Sequence, residues 1–95
     1  FEENNQVFKL VHIDTDTYLG TLHSLYKFLP LLIKKGYIIL DDFNWIRCQG
    51  VDKAVYEIFD TLPQSLINNK KYKIHQNKEI YEIERNGNQL FILKF

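Results

Sequence analysis

Residues 7–18 read VFKLVHIDTDTY and residues 37–43 read YIILDDF. Each stretch opens as a nearly unbroken apolar run rich in β-branched and aromatic residues. Such a run suits a strand covered on both faces, as in a parallel sheet. Each run then stops at aspartates: Asp14 and Asp16 in the first, Asp41 and Asp42 in the second. Between them the period changes, with Leu19, Leu22, Leu25, Tyr26 and Leu29 at helical spacing and Asp16 or Thr17 as N-cap. Pro30 predicts a kink or an end, followed by Leu31 to Lys35 as a last turn. Lys34-Lys35-Gly36 would be its C-terminal signature, cations at the negative dipole end and then a glycine. Strand, helix, strand over this length makes a right-handed crossover between parallel strands.

Further along, Val51 to Leu62 predicts a second helix with Val51, Ala54, Val55 and Phe59 on one face, closed by Pro63. Gln64 to Lys78 is polar, with Tyr72 to His75 as a candidate short strand. Ile80 to Glu84 alternates, Asn86-Gly87 is a hairpin turn signal, and Leu90 to Phe95 is apolar again. The expected fold is therefore α/β, with two parallel strands and their crossover helix, a second helix and a C-terminal antiparallel hairpin. A chain of 95 residues, 45% of them hydrophobic, makes one small globular domain.

Twelve basic residues balance twelve acidic ones, so no global field favours nucleic acid or an anionic membrane as partner. No apolar stretch approaches the roughly 20 residues that span a bilayer, and no signal peptide is recognisable. The single cysteine, Cys48, excludes an internal disulfide framework and fits a cytoplasmic location.

Strands that run the same way end at the same edge, where ligands of open α/β sheets bind. If the two strands are neighbours, Asp14, Asp41 and Asp42 crowd one crevice. Uncompensated like charges there raise one another's pKa values and oppose folding, and a hard divalent cation removes the conflict. An all-oxygen ligand set points to Mg²⁺, Mn²⁺ or Ca²⁺ rather than zinc or copper. The plainer reading is that these aspartates only cap helices and stop strands. His12, within a buried strand, reads as a packing residue. His23 and His75 read as surface residues and Cys48 as inert.

VHIDTDTY, LYKFLPLLIKKGYIILDDF and GVDKAVYEIF together resemble the macrocin O-methyltransferase (TylF-type) family over about residues 9–59. These are class I methyltransferases that use S-adenosylmethionine and a divalent metal to methylate sugar hydroxyls. The resemblance implies the C-terminal half of a Rossmann-like methyltransferase fold, with Asp14, Asp41 and Asp42 as metal ligands and Asp14 also as general base. Tyr18 matches the tyrosine of the first box, and the loop carrying Trp45 matches one that borders the acceptor. Trp45 would then cover the sugar or simply anchor its loop.

Lys35-Gly36 replaces the family's paired glycines and Phe43 its usual tyrosine. All four glycines stand singly, so the glycine-rich turn that binds the methyl donor has no counterpart in these 95 residues. The expectation is thus the metal and acceptor half of a sugar O-methyltransferase site, with a sugar or glycoside as small-molecule partner. Two alternatives are a non-catalytic α/β module that pairs through an open sheet edge, forming a homo-oligomer, and a metal-dependent phosphoester enzyme. The latter lacks basic residues near the aspartates.

Overall fold

The computed structural model describes residues 8–95. The order is β1 (Phe8–Ile13), α1 (Tyr18–Phe28), β2 (Leu32–Leu40), a 3-10 turn (Ile46–Cys48), α2 (Gln49–Ile58), β3 (Lys71–Gln76), β4 (Glu79–Asn86) and β5 (Gln89–Lys94). One mixed sheet runs β1-β2-β5-β4-β3, with β1 and β2 parallel and every other pairing antiparallel. The crossover and the terminal hairpin are as expected. The sheet is larger than expected, because the candidate strand around Tyr72 to His75 forms and pairs with β4 along its whole length. Asn77 and Lys78 both take positive φ between them, the geometry of a tight two-residue hairpin.

The first helix ends earlier than its sequence suggests. Thr17 caps its start, accepting from the Gly20 amide at 3.0 Å, and Leu29 ends it one residue before Pro30. Lys34, Lys35 and Gly36 do not form a helical C-terminus but lie inside β2. Phe8 faces Leu32 while Leu10 faces Tyr37, so β2 bulges outward between them. Lys35 takes φ 69° in the bulge, and a Cβ on Gly36 would come within 2.8 Å of the Ile33 carbonyl oxygen. The glycine serves a close backbone approach in a strand. α2 also closes sooner than expected, at Ile58, with Phe59 buried just beyond it.

Both helices lie on one face of the sheet. Val11, Ile13, Ile38, Leu40, Ile83, Leu90 and Ile92 point into a single core with Leu22, Leu25, Val51, Val55 and Phe59. A Cβ on Gly50 would sit 2.8 Å from the Tyr18 amide nitrogen, which measures how closely α2 approaches α1. The expectation of strands covered on both faces is corrected. Leu10 is 61% exposed and Tyr37 43%, and His12 is exposed, because alternate residues of β1 and β2 face away from the helices. Among the described residues, no helix is long and apolar enough to cross a membrane.

Candidate metal centre

β1 and β2 are in register to their ends, His12 facing Ile39 and Ile13 facing Leu40, and the Asp41 amide continues the ladder to the Ile13 carbonyl at 3.0 Å. Asp14 and Asp41-Asp42 therefore leave the sheet at one edge. The chain then turns sharply. Asp16, Asp42 and Asn44 all take left-handed φ, at 62°, 63° and 60°. Asp and Asn tolerate this region better than other side-chain-bearing residues, and such conformations collect at functional sites. The Asp42 loop is pinned on both sides: the Phe43 amide donates to the Asn88 carbonyl at 3.0 Å, and the Asn44 amide to Asp52 at 2.7 Å.

These turns sort the aspartates into two groups. Carboxylate oxygens of Asp16 and Asp42 and the Cys48 sulfur lie within 4.8 Å of one another. Asp14 also reaches Asp42. The Asp42 pKa is pushed up to about 6, first by a hydrogen bond shared with Asp16, then by desolvation, then by the charges of Asp16 and Asp14 and a hydrogen bond with Asp14. Partial burial, then Asp42, Asp16 and Asp14, push the Cys48 thiol up as well, which favours its protonated form.

Asp41 faces elsewhere. Its carboxylate accepts from Gln89 at 2.8 Å and lies 2.7 Å from His12 Nε2. The Gln89 hydrogen bond is the main cause of its lowered pKa, and His12 adds to it. Of the three residues read as ligands, the structure brings Asp14 and Asp42 together, adds Asp16, and gives Asp41 to His12 and Gln89.

Local sequence carried no signal for these assignments. Asp16 was the natural N-cap candidate, but Thr17 takes the cap and frees the Asp16 carboxylate to enter the cluster. Gln89 is just over half the chain away from Asp41 and carries no local signal. His12 is no packing residue, since it points to the open face where Asp41 meets it. Tyr18 lies along α2, its hydroxyl donating to Glu57 and its ring beneath Lys53 Nζ at 4.7 Å. Glu57, by accepting that hydrogen bond, is the main cause of the raised Tyr18 pKa. Trp45 is 42% exposed in the loop that follows Asp42.

Two carboxylates on adjacent turns, Asp16 and Asp42, with Asp14 nearby and the Cys48 thiol beside them, suit a hard cation that retains waters or ligand oxygens. No protein-family model and no curated protein matches the chain.

Proposed function

We propose that the edge formed by β1 and β2 binds a divalent cation, Mg²⁺ or Mn²⁺, and is the metal and acceptor part of an S-adenosylmethionine-dependent O-methyltransferase site acting on a sugar hydroxyl. The observation that carries the metal reading is the convergence of Asp16, Asp42 and Cys48, with Asp14 near enough to help raise the Asp42 pKa, and no cation of the chain in a salt bridge with these aspartates among the described residues. The methyltransferase part rests on the resemblance of the two boxes and on strand order. The last strand, β5, lies antiparallel between β2 and β4, in keeping with the antiparallel terminal hairpin that the resemblance implies. A cytoplasmic site agrees with the single free Cys48.

Asp14, Asp16 and Asp42 would hold the ion. When bound, the ion supplies Lewis acidity that lowers the acceptor hydroxyl pKa, and S-adenosylmethionine supplies the methyl group. Asp14, at the end of β1, takes the hydroxyl proton on its carboxylate. Trp45 and Ile46, both exposed beside the cluster, offer apolar surface to a sugar ring. The Asp41–Gln89 and Asp41–His12 contacts hold the end of β2 in place and so orient Asp42. For Asp41 to join the ligands, as the resemblance implies, it must give up Gln89.

Calorimetric titration of Mg²⁺ and Mn²⁺ against wild type, Asp42→Asn and Asp41→Asn tests the centre. Loss of affinity in Asp42→Asn is the expected result; equal affinity in all three proteins removes the proposal. Donor binding is a separate question, and no G-x-G turn for it occurs within these 95 residues.

One observation favours the interaction-module reading. β1 is an edge strand beside an exposed apolar face carrying Leu10 and Tyr37. Light scattering distinguishes it: a concentration-dependent dimer supports pairing through β1, and a clean monomer argues against it.

A further inference from the structure

The opposite edge of the sheet buries a cation. β5 runs antiparallel to β2 with Leu93 facing Tyr37, so Lys94 lies near the middle of β2, away from the aspartates, and its Nζ reaches the C-terminal end of α1. Only 4% of Lys94 is exposed. Its Nζ donates to the Leu29 carbonyl at 2.6 Å and stands 5.9 Å from the Tyr81 ring centroid. An ammonium carries three donors, and Leu29 takes one of them. No carboxylate pairs with Lys94 within 4.0 Å among the described residues. Burial accordingly lowers its pKa, an effect that Glu79 only partly opposes.

Lys94 forms part of the wall of a cavity of about 400 Å³ between the C-terminal ends of the two helices, the β3–β4 turn and the end of β5. Leu29 and Ile58 make its apolar side, with Leu25 buried behind them, and Glu57, which also accepts from the Tyr18 hydroxyl, and Glu79 bring two carboxylates. The cavity thus contains one buried, incompletely satisfied cation, an apolar wall and two anions that are not bound to that cation. Its size lies at the small end of ligand sites and suits a single compact molecule.

We propose that this cavity binds a small zwitterionic acid, an α-amino acid with an apolar side chain. Its carboxylate takes the spare donors of Lys94, its ammonium faces Glu57 and Glu79, and its side chain rests on Leu29 and Ile58, in front of Leu25. A simple carboxylic acid meets repulsion from the two glutamates. A simple amine leaves Lys94 without a counter-charge. Only a ligand with both charges answers both halves of the wall, and the Asp42 cluster plays no part in it.

The test is an NMR titration of the full chain with L-leucine, isocaproate (leucine without its amine) and isoamylamine (leucine without its carboxylate). Leucine should give saturable shifts at Leu25 and Ile58 methyls, and each analogue should bind about tenfold more weakly or worse. Lys94→Met, checked for folding by circular dichroism, should lose leucine by about tenfold or more. If that variant does not fold, Glu57→Gln/Glu79→Gln should weaken leucine while leaving isocaproate unchanged or tighter. No saturable shift with leucine, leucine binding undiminished in the variants, or isoamylamine binding as tightly as leucine overturns the proposal.

Discussion

The two edges of this sheet carry opposite versions of one problem. At the carboxyl ends of β1 and β2, Asp14, Asp16 and Asp42 gather negative charge with no protein cation among the described residues to meet it. At the other edge, Lys94 is buried with a carbonyl but, among the described residues, no carboxylate in contact. A folded protein ordinarily pairs such groups or leaves them in water. Asp41 shows the ordinary solution one residue from Asp42: Gln89 and His12 satisfy it, and its pKa falls rather than rises. The neighbours differ because Asp41 still follows the direction of β2, whereas Asp42 has turned into left-handed φ.

The largest expected effect is on the metal edge. Removing a ligand with Asp42→Asn should weaken Mg²⁺ or Mn²⁺ by roughly 100-fold or more, while Asp41→Asn, acting through orientation, should cost about tenfold. Calorimetry that ranks Asp41 above Asp42 would break the distinction drawn between them.

Next comes the pH dependence of stability, whose sign differs between the edges. Asp42 titrates at about 6 in the fold, above its unfolded value, so the folded state holds its proton longer. Stability should therefore fall as pH rises from about 4 through 6. Mg²⁺ should flatten that fall, and Asp42→Asn should remove it. Burial disfavours the Lys94 charge in the fold and lowers its pKa. Its contribution should make stability rise as pH climbs through the alkaline range toward the ordinary lysine value. Urea unfolding across pH measures both slopes, and slopes of the same sign at the two residues would contradict the comparison.

A smaller effect is expected for Lys94→Met at pH 7. Replacing a buried charge by an apolar side chain of similar length is often neutral or stabilising, so its unfolding free energy should stay within about 1 kcal/mol of wild type. A loss well above that would mean the Leu29 hydrogen bond matters more than the buried charge. Thr17→Ala should likewise lower stability by about 1 kcal/mol through loss of the α1 cap. Because Thr17 adjoins Asp16, a concurrent drop in metal affinity would show that the cap also sets the carboxylate turn.

Much of this architecture was legible before any coordinates. β1, the second half of β2 and β5 announce themselves by apolar runs, β4 by alternation, and the helices by their period. The parallel β1–β2 pair follows from the length of chain between them, and with it the arrival of Asp14 and Asp42 at one edge. The misreadings have local causes. Lys34-Lys35-Gly36 has the composition of a helix end, yet those residues extend β2 because Pro30 follows the last helical turn too closely for the helix to resume. His12 looked buried because its neighbours are apolar, but whether a second layer covers that face depends on where the helices pack.

Asp14, Asp16, Asp41 and Asp42 could all be counted as edge residues from sequence, since chain direction and crossover length are properties of local pattern. Which of them converge was decided only in three dimensions. It depends on the left-handed turns at Asp16 and Asp42, on Thr17 taking the cap, and on Gln89 arriving from the far hairpin to hold Asp41. Lys94 is the stronger case. In sequence it is a lysine next to the terminal residue; only the antiparallel insertion of β5 places it beneath a helix end and inside a cavity.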